Sequence, residues 1–475
     1  MVRINELPDD ILHRIFDFYV CIRTPHEPKE GIEAWQSLVH VSRRWRNLVF
    51  QSPRRLNLQL LCTPQTPTRD KLDIWPAFPL IVKGYLLEGL MTLSDMNNVV
   101  AALRQANRIS QVDITGEWEE LTKKVLPAME MPFPELTDLR LSLLSKANLP
   151  PFITDSFLGG AAPRLRILSL DYILFTKWPK LLLSATQLVE LCLYHLPYLA
   201  CYFPEAIVTS LSVLYSLESL KLNFQCSDPF SLRNTPPPKR ITLPALIKFH
   251  FGGDILYLEV FVGHIDTPHL VELQTTFVDF YQIDTNFDLP RLAQFINCTP
   301  TLRERDAHVR LHDNFSYFSL QYSTYKSSPF GYLRIDLQCR GPAWQPELSS
   351  IRACNALHLL STVEDLYIEN GFRRLHWEND AIENERWLEL FLLFTAVKNL
   401  YLPEELASSI ADALQELVGD RISEVLPSLR NILLSGPEPS GPSSFQKNIG
   451  QFLAARQLSD QPISISVWDE NSYMK

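Results

Sequence analysis

The chain has 475 residues, 46% of them hydrophobic, and a formal net charge of −10 at pH 7. This length exceeds one compact core, so two or more modules are expected, and the acidic balance disfavours a general nucleic-acid binder. The eight cysteines include no C-x-x-C pair, so reduced thiols are expected rather than a disulfide framework. Because no run of about eighteen apolar residues and no signal-peptide core occur, the sequence predicts no membrane span and a cytoplasmic or nuclear protein.

An amphipathic helix is predicted directly after Leu7. Pro8 suits the first turn of a helix, because its missing N–H would have no partner there. Asp9 and Asp10 follow at the positive end of the helix dipole, where carboxylates are stabilising. The apolar residues behind them recur at helical spacing and predict one apolar stripe: Ile11, Leu12, Ile15, Phe16 and Tyr19.

A second amphipathic helix is predicted from Trp35 to Val49. Its apolar residues recur at steps of three and four, and Pro53 ends it. The arginines between them, at positions 43, 44 and 46, are expected to face solvent. Two helices of this size bury only part of their apolar surface against each other, so the remainder is expected to face a partner.

These two segments resemble the F-box family. The F-box pattern has Leu-Pro, Ile-Leu, Ile-Phe and, about one helix later, Val-Cys-x-x-Trp. The matching residues of this chain are Leu7-Pro8, Ile11-Leu12, Ile15-Phe16 and Val41-Ser42-Arg43-Arg44-Trp45. The chain departs from the pattern at Ser42, where cysteine is commonest, and in the long connection 24–31. The resemblance covers roughly the first eighty residues, and the stretches 52–58 and 72–76 look like a version common among fungal F-box proteins. An ordinary helical cap on a repeat domain is the alternative.

The resemblance implies both a role and a partner. F-box helices dock on the Skp adaptor, which connects to a cullin and a RING protein. The chain would then be the substrate-recognition subunit of an SCF-type ubiquitin ligase, and a non-degradative repeat scaffold with an F-box-like cap is the alternative. The implied adaptor contacts, some of which are expected to pack inside the module, are Leu7, Pro8, Ile11, Leu12, Ile15, Phe16, Leu38, Val41, Trp45 and Leu48.

The rest of the chain repeats the pattern L-x-x-L-x-L with tolerated substitutions. The repeats begin at Ile109, Leu136, Leu165, Leu188, Leu217, Leu246 and Leu270, and again at Val363, Val397 and Leu429. Such spacing lies at or above the usual length of a leucine-rich repeat, in which each unit is a strand and a return segment. A stack buries the apolar side that one unit cannot bury. The predicted fold class is therefore α/β, a helical F-box followed by a leucine-rich-repeat solenoid with a curved parallel sheet, and an unrelated leucine-rich α/β protein is the alternative.

Three segments are predicted along the chain. Residues 1–55 form the F-box, 56–105 a linker and N-terminal capping segment, and 106–475 the solenoid with a C-terminal cap. The interval 299–360 is irregular, although residues 332–337 alternate like a strand. Near the end, residues 445–458 predict a helix and residues 463–468 a final strand.

The motifs of common catalytic and cofactor sites are missing from the sequence. It contains no G-x-G-x-x-G, no G-x-x-x-x-G-K-[ST] and no H-E-x-x-H, and glycine is too sparse for phosphate loops. His264 and His269 flank a proline, so they are not expected to share a helix face as metal ligands. Cys192 and Cys201 have no adjacent base that would mark a nucleophile. We therefore expect no cofactor, no metal and no enzyme activity.

Alternate residues of the predicted strands define a candidate surface for a protein substrate. Because the leucines of each unit point into the solenoid, the residues between them face its concave side. Their mixture of charged, amide and aromatic groups suits a protein-binding groove, and any solvated strand face is similar. The candidate substrate-binding residues are Glu190, Tyr194, Lys221, Asn223, His250, Glu272, Gln274, Tyr367 and Tyr401.

Overall fold

A computed structural model describes residues 4–23, 34–51, 56, 58–87, 89, 92–144, 151–175, 181–197, 204–225, 240–278, 290–299, 302, 306–311, 317–322, 332–338, 360–370, 380–417, 421–435 and 449–468. The chain divides into two compact units, Met1–Leu217 and Glu218–Lys475. Each unit is an α/β structure in which strands alternate with return segments, as in a solenoid-like fold. Within the described ranges, no helix has the length and apolar character needed to cross a membrane.

Three helices form the N-terminal module of the first unit. After a short turn at Ile4–Glu6, they are α1 (Asp9–Arg23), α2 (Ala34–Val39) and α3 (Arg43–Gln51). The prediction of one helix from Trp35 to Val49 is therefore wrong, because the chain turns at residues 40–42. The cause is Ser42, whose Oγ accepts a hydrogen bond from the backbone N–H of Trp45 at 3.2 Å and caps α3.

Aromatic rings join this module to the segment that follows it. Trp35 packs edge-on against Trp75 and Phe78, with ring centroids 5.1 and 5.5 Å apart. Phe50 contacts the same two rings. Trp35 also donates a hydrogen bond from Nε1 to the backbone oxygen of Gln59 at 3.1 Å. The module is thus fixed to the first unit through α2 and the end of α3.

The first unit contains a parallel sheet. Its strands are β1 (Leu60–Cys62), β2 (Leu80–Leu86), β3 (Ile109–Gly116), β4 (Asp138–Leu143), β6 (Ile167–Asp171) and β8 (Glu190–Pro197), and β5 (Phe152–Ile153) pairs separately with β7 (Leu174–Phe175). The order is β1-β2-β3-β4-β6-β8, and neighbouring strands run parallel. The sheet begins at Leu60, so the segment 56–105, predicted as a linker and cap, supplies two paired strands.

Short helices return the chain between these strands. They are α4 (Thr68–Ile74), α5 (Leu93–Leu103), the turns Ala106–Arg108, Trp118–Glu120, Leu121–Val125, Leu126–Ala128 and Phe157–Gly160, α6 (Leu181–Ser184) and α7 (Pro204–Leu211). A capping box starts α5: Thr92 Oγ1 accepts the N–H of Asp95, and Asp95 Oδ2 accepts the N–H of Thr92. Polar side chains therefore satisfy backbone groups where the helix begins.

The second unit also contains a sheet. Its strands are β9 (Ser219–Gln225), β11 (Lys248–Gly253), β13 (Glu272–Val278), β14 (Asp306–Leu311), β15 (Tyr317–Tyr322), β16 (Tyr332–Gln338), β17 (Asp365–Asn370), β18 (Asn399–Leu402), β19 (Asn431–Ser435) and β20 (Ser464–Trp468), and β10 (Ile241–Thr242) pairs with β12 (Ile265–Asp266). The order is β9-β11-β13-β16-β15-β14-β17-β18-β19-β20.

One strand of the second unit runs against the others. β15 is antiparallel to both β14 and β16, whereas β13 pairs with β16 and β14 with β17 in parallel. The expectation of a parallel sheet throughout is therefore wrong in the interval 306–338. The connections 312–316 and 323–331 are too short for the crossover that parallel neighbours need, so consecutive strands reverse direction.

The helices of the second unit are α8 (Ile255–Val262), α9 (Pro290–Asn297), the turn Leu360–Thr362, α10 (Asp380–Leu392), α11 (Glu404–Gln415), α12 (Arg421–Glu424) and α13 (Gly450–Leu458). The predicted C-terminal helix and strand correspond to α13 and β20, and residues 445–448 lie outside the described residues.

Two buried charged side chains of this unit form hydrogen bonds with the backbone. Glu259 accepts the backbone N–H groups of Arg291 and Leu292, and Arg456 donates to the backbone oxygens of Val425 and Leu426.

The predicted repeat pattern coincides with the strands of both units. Every one of the ten triplets places its second and third residues on a strand, and all of their residues except Leu434 are buried. Register partners align these positions, as in Leu139, Leu168 and Leu191 on three adjacent strands. Leucines in line on neighbouring strands build a continuous apolar layer, which is the packing that repeat proteins need.

Candidate functional site

Five of the ten residues predicted to contact a partner lie inside the N-terminal module. Leu12 and Phe16 of α1 are fully buried, and Phe16 packs on Trp45 with ring centroids 4.8 Å apart. Leu38 and Leu48 are buried as well. These five residues belong to the core of the module, and they are the ones among the ten that pack inside it, as was expected of some of them.

The other five predicted residues reach the surface of the module. Leu7 is half-buried and Pro8 is exposed. Ile11 is 36% exposed, Ile15 39% and Val41 57%. Single exposed apolar residues are ordinary on any protein surface, so the feature to note here is that several lie on one small module.

A residue outside the prediction extends this surface. Phe18 is 69% exposed and follows Ile11 by seven residues and Ile15 by three, so the three side chains lie on one face of α1. We call Ile11, Ile15 and Phe18 the outer stripe. Leu12 and Phe16 cover the inner side, so α1 is apolar on two sides, a pattern typical of a helix that is buried. Its period was visible in the sequence, where Phe18 continues the steps of four and three.

Arg44 holds the start of α1 in place beside the outer stripe. Its Nη2 donates to the backbone oxygen of Leu7 at 2.6 Å, and its Nε donates to Asp9 Oδ1 at 3.1 Å. The sequence predicted only a solvent-facing arginine at this position. Because both ion-pair partners are substantially exposed, the pair adds little stability and mainly fixes the geometry of the Leu7–Pro8 turn.

The strand residues between the buried leucines form what we call the open face of each sheet. In the first unit, Glu190 and Tyr194 lie on the open face of β8, on either side of Cys192. The Cys192 thiol donates to Glu190 Oε1 at 3.2 Å, and burial raises the pKa of the Tyr194 hydroxyl. Both predicted substrate residues are therefore on the expected face, and both are partly buried.

Sequence reasoning missed a polar cluster next to Tyr194. His195 Nδ1 lies 2.7 Å from Asp171 Oδ1, and the His195 ring stacks on Tyr172 with centroids 4.6 Å apart. Tyr172 and His195 both adopt a positive φ, a conformation that no local sequence motif predicts here. Ser142 donates to the other oxygen of Asp171 rather than to His195, so the group is not arranged as a nucleophile and its base.

Five predicted substrate residues come together on three adjacent strands of the second unit. Lys221 of β9, His250 of β11 and Gln274 of β13 are register partners on the open face. His250 Nε2 lies 2.7 Å from Glu272 Oε1. Asn223 lies two residues beyond Lys221 on the same face. This clustering was predictable from the repeat register, because equivalent positions of neighbouring repeats align.

The two predicted tyrosines near the C-terminus are also neighbours. Tyr367 and Tyr401 stack with ring centroids 4.0 Å apart, and Trp468 of β20 meets both rings edge-on. Tyr367 is only 4% exposed, so its predicted role in direct substrate contact is corrected. Trp468 was absent from the prediction, because nothing in the sequence says that the last strand folds its ring over this face.

A ladder of side-chain hydrogen bonds runs beside these aromatic rings. Asn399 Nδ2 donates to Asp365 Oδ1, and Asn431 Nδ2 donates to Asn399 Oδ1, both at 2.6 Å. Ser464 Oγ continues the row to Asn431. The ladder links β17 to β20 through their side chains and satisfies the amides within the sheet.

No protein-family model and no curated protein matches the chain. In the described part of the chain, no group of three or more histidine, cysteine or acidic side chains is arranged to hold a metal ion. The functional assignment therefore depends on the residues described above.

Proposed function

We propose that the chain is the substrate-recognition subunit of an SCF-type ubiquitin ligase. Its N-terminal module would dock on the Skp adaptor, and through it on a cullin and a RING protein, in the cytosol or nucleus. The observation that carries the proposal is the outer stripe: Ile11 and Ile15 are motif residues, and together with Phe18 they leave a helix apolar on its outward side.

The division of labour on α1 supports this proposal. Phe16 packs on Trp45 of α3 and Leu12 is fully buried, while Ile11 and Ile15 stay partly exposed. Because Ile11 and Ile15 are only 36% and 39% exposed, covering both with an adaptor would contribute about 1–2 kcal/mol before the costs of association. The aromatic contacts of Trp35 and Phe50 hold the module on the first unit, so a docked adaptor would stand at a fixed position relative to that sheet.

In this proposal the chain contributes proximity and no bond chemistry. The open faces of the sheets would hold a target protein while a ubiquitin-charged enzyme, supplied by the other subunits, reaches its lysines. The open-face positions combine charged, amide and aromatic side chains on rigid strands, which suits recognition of a protein surface.

Capture of the purified Skp adaptor tests the proposal. We expect Ile11→Asp/Ile15→Asp to weaken adaptor binding by about 100-fold, because two desolvated anchors become charged. Leu93→Asp is the matched control: Leu93 is 74% exposed on α5 of the same unit and outside the stripe, so its variant should bind as the wild type does. Equal capture of all three proteins would contradict the proposal.

The lifetime of bound proteins separates the ligase receptor from a scaffold. Proteins captured on the repeats should persist longer in cells that express only the Ile11→Asp/Ile15→Asp variant. If adaptor binding is lost and their lifetimes do not change, the chain is a scaffold with an F-box-like module.

A further inference from the structure

The apolar layer of the second unit becomes more exposed toward its last strand. Leu400 and Leu402 of β18 are fully buried, whereas Leu434 of β19 is partly exposed. On β20, Ile465 is partly exposed as well, and Val467 is 39% exposed. Leu434 and Val467 are register partners, so these side chains belong to one layer. The last repeat of a stack needs a polar outer face to stay soluble alone, and this one ends in apolar side chains.

The outer edge of β20 presents backbone groups that no described strand pairs with. Among the described residues, β19 is the only strand next to β20. Ser464 donates its N–H to the backbone oxygen of Arg430 at 2.8 Å, so every second residue from Ser464 directs its backbone groups to β19. The backbone groups of the residues between them, Ile465 and Val467, therefore point away from β19. A row of such groups is a template for another strand.

The last repeat lacks the side chains that usually protect an edge strand. Natural proteins keep other strands away from such an edge with charged residues or proline, and β20 has neither. Of residues 449–468, only Arg456 and Asp460 are charged, and Arg456 is fully buried. The exposed residues of α13 are all uncharged: Gln451, Ala454, Gln457 and Leu458. Uncharged surface loses its water at a lower cost than charged surface, so this end of the unit favours contact with another protein.

The edge of β20 is complementary to a second copy of itself. An antiparallel pair centred on Ser466 places Ile465 of one copy opposite Val467 of the other. These are the positions whose backbone groups point outward, so each of the two pairs exchanges both of its N–H···O bonds. Ser466 then faces its own copy at a position without hydrogen bonds, where the strands lie closest and a small side chain fits. No like charges meet within the paired strands.

We propose that β20 pairs with β20 of a second copy of this chain, antiparallel about Ser466. The pair joins the two sheets and covers the exposed parts of Ile465 and Val467, which then contribute to a shared apolar layer. Because a strand of five residues is short, we expect a dimer that forms at micromolar concentrations. This dimer is independent of the proposed function, since β20 lies in the second unit and the outer stripe in the first.

Sedimentation velocity with the full chain tests for the dimer. We expect a species of twice the 54.7 kDa mass of one chain at about 50 μM, and the single chain at about 0.5 μM. Val467→Lys should weaken dimerisation at least about tenfold, because each copy would place an ammonium group against an apolar side chain. Leu392→Lys is the matched control. Leu392 is also 39% exposed, on α10 of the same unit, and its variant should dimerise as the wild type does.

Disulfide trapping tests the register of the pair. In the proposed pair, the Cα atoms of the two copies of Ser466 lie about 4.5 Å apart, a distance that a disulfide spans. We expect Ser466→Cys to form a cross-linked dimer under mild oxidation. Ser464→Cys is the control and should not cross-link, because its two copies are displaced by about 13 Å along the strands. Both serines are exposed on β20, so both variants should fold.

Three results would overturn the inference. They are a single chain at every concentration, which would assign the edge to a different protein, equal effects of Val467→Lys and Leu392→Lys, and equal cross-linking of the two cysteine variants. If Val467→Lys does not fold, the cysteine variants decide alone.

The outer stripe supplies a further control for self-association. Ile11→Asp/Ile15→Asp should dimerise as the wild type does, and loss of the dimer in this variant would place the contact on the outer stripe and refute the pairing of β20. Val467→Lys should capture the adaptor normally. A single chain that captures the adaptor refutes the inference alone, and a dimer that does not capture it refutes the proposed function alone.

Discussion

The N-terminal module and the repeats differ in how completely they bury their apolar side chains. Along β4, β6 and β8 the repeat leucines are fully buried against their register partners. In α1, Leu12 and Phe16 are equally buried, yet Ile11, Ile15 and Phe18 face outward. A repeat stack is satisfied by its own neighbours, whereas the module keeps apolar surface that its own fold does not use. Under the proposed function, this difference makes the module, and not the repeats, the surface expected to meet the adaptor.

The largest expected effect is the loss of stability when a buried leucine of the repeats is truncated. Leu168→Ala should lower the free energy of unfolding by about 3 kcal/mol, since it opens a cavity between two leucine-bearing strands. Ile15→Ala, which removes a comparable side chain from the outer stripe, should cost less than about 0.5 kcal/mol. Urea denaturation of both variants measures the contrast. Similar losses would mean that Ile15 is packed inside the protein.

A second pair of variants compares a buried arginine with an exposed arginine of the second unit. Arg456 is fully buried and donates from Nη2 to the backbone oxygens of Val425 and Leu426 at 2.7 and 2.8 Å. Arg456→Met should cost about 2–4 kcal/mol, because these oxygens lose a charged donor inside the protein. Arg430→Met, at an exposed arginine of the same unit, is the control and should change stability by less than about 0.5 kcal/mol. A harmless Arg456→Met would show that water replaces the guanidinium.

Replacing the buried Glu259 is expected to cause a loss of stability of intermediate size. Its two carboxylate oxygens accept the backbone N–H groups of Arg291 and Leu292, at 2.8 and 2.7 Å, where α9 begins. Glu259→Gln keeps one acceptor and replaces the other with a donor, so it should cost about 1–2 kcal/mol. The exposed Glu424→Gln is the control, and thermal unfolding compares them. No difference between the two would indicate that the N-terminus of α9 does not need this cap.

The smallest expected effect depends on pH. Burial lowers the pKa of His250 in the folded chain, so the unfolded chain binds this proton more readily. Stability from this group is therefore complete above its unfolded pKa of about 6.5 and is lost as the pH falls below that value. His250→Gln should lose less stability than the wild type between about pH 7 and pH 5.5. Parallel losses in both proteins would show that His250 is as solvated when folded as when unfolded.

Much of the fold followed from the leucine spacing alone. The triplets located ten strands, because a period of two within a repeat of 23–34 residues leaves few other arrangements. The reversed β15 was not predicted, since alternation of side chains carries no information about strand direction. β1 and β2 were missed because their segments lack the complete triplet. The turn between α2 and α3 was missed because the helical period continues across Ser42.

The candidate site was predictable in its place and less so in its details. The motif positions indicated α1. The sequence alone could not tell that Ile11 is exposed and Leu12 buried, because both belong to the same apolar pattern. Tertiary packing decides which side of a doubly apolar helix stays outside. On the open faces, equivalent repeat positions predicted that Lys221 and His250 are neighbours. The contact of the Trp468 ring with Tyr367 could not be predicted, because the two residues are distant in the sequence.

Hydrogen exchange with and without the purified Skp adaptor tests the central claim most directly. We predict slower exchange in residues 4–18 and 38–48, where the outer stripe and Val41 lie, and unchanged exchange in strands β3 to β8. Unchanged exchange throughout the module, or slowing confined to the strands, would contradict the claim that the outward face of α1 is the docking surface.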